Sequence, residues 1–180
     1  MAKQTDSTTS RNTKYQTRKN LYITSIILPL TVMNKFNSLY KTLRVLAYCL
    51  RFAKNARMPK KYRHLRKVGH LDTLEIESSL MSCVKAVQNN YFAEEIQALK
   101  SNQFPKHSSI SSLHPFIDKN NILRVGGRLH NSALQDYSKH PMLLPAKHTL
   151  VNLIFLEEHL RMGHAPPQLL LSTVRQKTKL

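Results

Sequence analysis

The chain of 180 residues has no tryptophan, two cysteines, four glycines and only ten acidic side chains. Each shortage closes a class. Two thiols, Cys49 and Cys83, cannot build a disulfide scaffold and suit a reducing compartment, nucleus or cytoplasm, rather than secretion. Four glycines and eight prolines are too few for a collagen-like or low-complexity polymer. The apolar run at residues 21–33 (LYITSIILPLTVM) has thirteen members and is broken by Pro29, short of the roughly 20 that span a bilayer. As a signal sequence it has too long a polar stretch before it and no small-residue cleavage site after it. A buried strand or an interfacial segment remains, and the second is the basis of one alternative, a basic membrane-associated protein using residues 21–33. Four Asp and six Glu, none in a convergent pattern, give no two-metal catalytic site.

What the chain has in excess is positive charge. Lys and Arg number 28, for a net charge of +18. Such an excess repels itself and calls for a polyanionic partner, nucleic acid first and an anionic membrane surface second. Residues 1–70 carry sixteen Lys/Arg against Asp6 alone, a net +15; residues 71–101 carry −3 and residues 102–180 carry +6. Four segments follow. Residues 1–34 are a basic N-terminus, read as disordered over the polar residues 1–20, with a short apolar stretch. Residues 35–101 are helical, 102–146 hold a linker and a β-hairpin, and 147–180 hold two more helices.

Phe36, Leu39, Tyr40, Leu43, Leu46, Ala47 and Leu50 recur at steps of three and four, predicting an amphipathic helix near 35–57. Lys35, Lys41, Arg44, Arg51 and Arg57 take its other faces, and Pro59 ends it. Lys60, Lys61, Arg63, Arg66 and Lys67 follow, interleaved with Tyr62, His64 and His70. Such a cluster can grip phosphates or act as a nuclear-import signal; it can equally be a solvated linker. Asp72 with Glu75 reads as a capping box opening a helix over 73–100, with Leu80, Val84, Val87 and Tyr91 as its stripe and Phe92, Ile96 and Leu99 continuing it after a phase slip. Glu94 and Glu95 point about 100° apart on a helix and do not converge on one ion; they read as a solvated face.

In the next segment, Phe116 and Ile117, then Asp118 to Asn121, then Ile122, Leu123 and Val125 read as arm, turn and arm of a hairpin. Gly126 and Gly127 between Arg124 and Arg128 lack the spacing and the Lys-Ser/Thr of a phosphate loop, and read as a turn or bulge. Residues 141–145, with proline at each end, suit an edge strand or connector. Helices follow near 148–162, with Gly163 at its C′ position, and near 167–178, with Pro166 and Pro167 at its start. His159 and His164 form a His-x4-His pair at the helix end, a spacing that can place two imidazoles on one zinc ion and supplies two of the four ligands of a structural site.

Five blocks in order, KTLRVLAYCLRFAKNAR, YFAEEIQALKSN, SLHPFIDKNNILRVGGRLHNSAL, KHPMLLPAKHTLVNLIFLEEHL and GHAPPQLLLSTVRQ, resemble the BEL/Pao-type retrotransposon polyprotein, in the stretch joining ribonuclease H to integrase. The resemblance covers about residues 36–180. It implies that His159 and His164 are the histidine ligands of the integrase zinc-binding (His-His-Cys-Cys) domain. The family's Cys-x2-Cys pair would lie beyond Leu180, and Cys49 and Cys83 do not replace it; His140 and His148 are remote candidates. The expectation is therefore a fold that is mainly α with a small β-hairpin, a helical linker region followed by an incomplete zinc-binding module. Its zinc is not stably held, and it carries no catalytic core. The function expected is that of a non-catalytic fragment related to DNA integration, binding nucleic acid, DNA by the resemblance, through its basic residues. The other alternative is a piece of a longer active integrase.

Overall fold

The computed structural model describes residues 26–105, 108–127 and 139–177. Residues 1–20, the first part of the apolar run and Arg128 lie outside the described residues. Pro29, which interrupts that run, sits in the first turn of helix α1 (Leu28–Met33), where a missing N–H is tolerated. Val32 and Met33 are buried in the main core. Residues 28–33 are thus neither a strand nor an interfacial segment; they are the short helix that closes the core from the N-terminal side.

Ser38 caps α2 (Leu39–Ala56), its hydroxyl accepting from the Lys41 N–H at 3.4 Å. This cap, in extended conformation, starts the helix four residues later than the periodicity suggests. Leu43, Leu46 and Ala47 are buried, but Tyr40, at the edge of the expected stripe, is 56% exposed. After Pro59 comes a 3-10 turn (Lys60–Leu65). Helix α3 (Thr73–Tyr91) then opens with the expected capping box: the Asp72 N–H donates to Glu75 Oε2 at 3.0 Å.

The phase slip at Phe92 is a true break. With φ −122° and ψ 35°, Phe92 ends α3 and caps a separate helix, α4 (Ala93–Lys100). The single helix expected over 73–100 is therefore two. The kink has a packing cause, since Phe92, Ile96 and Leu99 turn onto a second cluster with Ile110, Leu123 and Leu143, away from the core under Val84 and Val87.

Strands β1 (Phe116–Ile117) and β2 (Leu123–Arg124) pair antiparallel, Phe116 opposite Arg124 and Ile117 opposite Leu123. Asp118 builds the turn. One carboxylate oxygen accepts from the N–H groups of Asn120 (2.8 Å) and Ile122 (2.9 Å), the other from Arg124 Nε (2.7 Å). Burial alone would raise the Asp118 pKa, but the Arg124 hydrogen bond and these two N–H groups outweigh it and leave it lowered. Residues 141–143 run beside β2, Leu143 N–H donating to Leu123 O at 3.1 Å. The fully buried Gln88 stitches this ribbon to α3. Its amide donates to the carbonyls of Leu123 and Leu143, both at 2.8 Å, and its oxygen accepts from Leu123 N–H at 2.9 Å.

Helices α5 (Thr149–Arg161) and α6 (Pro167–Lys177) lie close to their expected bounds. α5 packs on α2 and α6 on α5. Met33, Leu46, Val84, Ile122, Leu150 and Val174 belong to one cluster, so all four sequence segments contribute to a common core. The described architecture is mainly helical with one two-stranded antiparallel hairpin. Among the described residues no helix is long and apolar enough to cross a membrane.

Candidate nucleic-acid surface and histidine turn

The basic run after Pro59 is held on a firm frame. Arg51 reaches across from α2: Nε donates to Glu75 Oε1 at 2.9 Å, Nη1 to Gly69 O and Nη2 to His70 O, both at 2.7 Å. Asn55 brackets Lys67, donating to its carbonyl at 2.8 Å and accepting from its N–H at 3.2 Å. The Arg51 guanidinium and the Asp72 N–H together hold the Glu75 carboxyl at a pKa of about 2. Between α2, the 3-10 turn and α3 lies a cleft of about 360 Å³ whose walls include Lys54, Leu65 and Lys67.

This frame sorts five cations that look alike in the sequence. Lys60, Lys61 and Arg63 are exposed on the 3-10 turn. Among the described residues none of the three is in an ion pair; Lys61 Nζ lies 5.8 Å from the Tyr62 ring centre. Arg66 is half-buried, with its Nε enclosed and without a hydrogen-bond partner. Lys67 is exposed, and its Nζ lies 4.0 Å from the Asp72 carboxylate.

The two histidines meet through backbone geometry. At the end of α5, His164 N–H donates to His159 O at 2.9 Å and Gly163 N–H to Leu160 O at 3.2 Å. These are the paired bonds of a Schellman cap, with Gly163 at φ +61° in the left-handed position. Such a cap returns the chain so that the C″ side chain lies over C3, and here those residues are His164 and His159. Their rings are 4.7 Å apart and edge-to-face, with His164 Nδ1 2.9 Å from His159 Nε2. Two nitrogens on one tetrahedral zinc stand about 3.3 Å apart for Zn–N bonds near 2.0–2.1 Å, so the turn offers a fitting pair of donors after a small opening.

No family model, curated protein or solved structure matches the chain. The zinc assignment therefore rests on the donor set, and that set supplies half a site. Among the described residues no group of three His, Cys, Asp or Glu gathers around one point. His148 has another task. It is buried, and its Nδ1 accepts from Leu150 N–H at 3.0 Å as the N-cap of α5, with the Tyr91 ring edge-on at 5.4 Å. Burial lowers its pKa and favours the neutral acceptor the cap requires. His140 Nδ1 lies 3.1 Å from Val125 O, and burial pushes the Cys83 thiol up to about 12.

Two weaker sequence signals resolve into structure. Glu94 is exposed, while Glu95 accepts from Ser108 Oγ at 2.5 Å. That contact tethers the loop after α4, so only Glu94 belongs to a solvated face. A Cβ on Gly126 would meet His114 O at 2.2 Å, so this glycine serves a close chain crossing, while Gly127 supplies a φ of +146° in open space. The His148 cap and the Gln88 junction are what sequence reading missed. For His148 a signal existed, its place just before an expected helix; Gln88 lay on a helix with nothing to mark its partners 35 and 55 residues away.

Proposed function

We propose that the chain is a non-catalytic, nucleic-acid-binding segment of a BEL/Pao-type retrotransposon polyprotein, related to DNA integration. The observation that carries the binding is the exposed trio Lys60, Lys61 and Arg63 on the turn that leads into residues 67–70, the stretch that Arg51 and Asn55 pin to α2, within residues 35–67 that hold eleven Lys/Arg and no acid. A fixed array of cations binds phosphates with less loss of side-chain and loop freedom than a mobile one. Three of the ten acidic groups, Glu75, Asp118 and Glu158, are each paired with an arginine, which fits a non-catalytic reading. In this reading His159 and His164 are one half of a zinc site. Zinc there would supply a structural cross-link, and the histidine turn would present the two ligands to donors outside the described residues.

Duplex DNA binding measured against salt tests the proposal. Each phosphate neutralised steepens the log–log slope by about 0.9. Replacing Lys60, Lys61 and Arg63 with glutamine is therefore expected to flatten it by up to about 2.7. Absence of binding by the unaltered chain at about 50 mM salt would sink the reading.

A further inference from the structure

The outward arc of α2 carries rings where a solvated helix normally carries polar side chains. Tyr40, Tyr48 and Phe52 are 56%, 42% and 74% exposed. Each step of four residues moves about 6 Å along a helix and about 40° around it, so Tyr40, Arg44, Tyr48 and Phe52 follow one shallow spiral. Lys41 and Val45 share the arc and are exposed, while Leu43, Leu46 and Ala47 bury the opposite side. Arg44 is fixed within the arc: its Nη1 donates to the Tyr40 hydroxyl at 3.3 Å and its guanidinium lies 5.3 Å from that ring. The two tyrosines raise the Arg44 pKa, and the Arg51 guanidinium lies 5.5 Å from the Tyr48 ring centre, which leaves the opposite face of that ring for a base.

We propose that this arc is a stacking platform for single-stranded DNA, with bases on Tyr48 and Phe52 and phosphates on Lys41, Arg44 and the cations of the Lys60–Leu65 turn. The proposal rests on the reading of residues 35–67 as a nucleic-acid surface and names the form of nucleic acid it takes. A duplex shows proteins its phosphates and base edges, because neighbouring pairs cover the π-faces; only an unpaired strand presents those faces to aromatic side chains. Charge complementarity selects a polyanion, and the exposed rings select one with free π-faces. A membrane-surface helix needs a broad, continuous apolar face; Lys41 and Arg44 interrupt this arc, and the leucines of α2 pack toward the core. The choice of DNA over RNA rests on the reading of the chain as related to DNA integration.

The test uses the full chain, oligo-dT of about 20 nucleotides and a duplex of equal length, at low salt. Phe52 is mostly exposed, so Phe52→Ala is expected to fold normally, which thermal unfolding checks. It should weaken oligo-dT binding by about 5- to 150-fold and duplex binding by less than about threefold. The chain has no tryptophan, so Phe52→Trp installs a single reporter whose fluorescence oligo-dT should quench and the duplex should not. Unchanged oligo-dT binding by Phe52→Ala, with duplex binding intact, overturns the platform and leaves the basic surface standing. Loss of all binding in the unaltered chain overturns both. An RNA oligomer, or anionic vesicles, bound more than about tenfold tighter than oligo-dT also overturns the assignment.

Discussion

The junction at Gln88 and the turn at His164 use polar side chains in opposite ways. Gln88 is 1% exposed and satisfies three backbone groups of the ribbon around β2. His159 and His164 sit at a helix end, half-exposed and exposed, and among the described residues their rings bond each other. A buried polar group without its partner costs far more than an exposed one, so the first region holds the fold together and the second is free to serve a ligand. The basic turn at residues 60–65 belongs with the second region, although the arginine that frames it, Arg51, belongs with the first.

That contrast can be broken most sharply at Gln88. Gln88→Ala strands the Leu123 N–H and the Leu143 carbonyl and is expected to cost about 2–4 kcal/mol of stability, read from urea unfolding, with DNA affinity little changed under native conditions. A loss below about 0.5 kcal/mol would mean that the junction does not join the ribbon to α3. Next comes the cap of α5. His148→Ala should cost about 0.5–2 kcal/mol, and His148→Asn, which restores a cap acceptor, should recover most of it. Because the folded-state pKa of His148 is lowered, its unfolded form binds the extra proton. Its contribution is therefore full above about pH 6.5 and declines as the pH falls below that value, a slope that His148→Asn should remove.

The Glu75 carboxyl makes a similar claim at lower pH. Its folded pKa of about 2 lies below the usual 4.5. The stability it lends is present above pH 4.5 and fades as the pH falls toward 2. Glu75→Gln should therefore be less stable than the parent at neutral pH, with the gap closing on acidification; parallel pH profiles would contradict the pairing with Arg51. The smallest effect is expected at the histidine turn. His164→Ala should change stability by under about 0.5 kcal/mol, since the Schellman bonds are made by backbone. Two imidazoles are expected to hold zinc weakly in a chelator competition, and His164→Ala to abolish what there is. Stoichiometric uptake that survives strong chelation would show that the chain supplies further ligands.

Much of the fold was legible because it is local. The Asp72–Glu75 capping box, the Asp118 turn, Gly163 as C′ and the helix-opening proline pair depend on contacts within a few residues, which spacing reports directly. The histidine turn belongs to the same class, since a five-residue backbone bond sets it. What spacing did not carry is direction. Tyr40 matched the apolar period yet lies outside the core, Phe92 read as a phase slip where the helix breaks, and Glu95 read as solvated while it holds Ser108. In each case the deciding neighbour is another element that the period of one helix does not contain.

By itself the sequence determined the helical character, the hairpin at residues 116–124, the concentration of charge before residue 70 and the pairing of His159 with His164, all consequences of composition and short-range geometry. Only the tertiary structure decided which cations face solvent, that Arg51 is turned inward to Glu75 while Lys60, Lys61 and Arg63 are not, and that α2 leaves Tyr40, Tyr48 and Phe52 exposed. Those outcomes depend on burial, and burial is set by what the rest of the chain lays against each side chain.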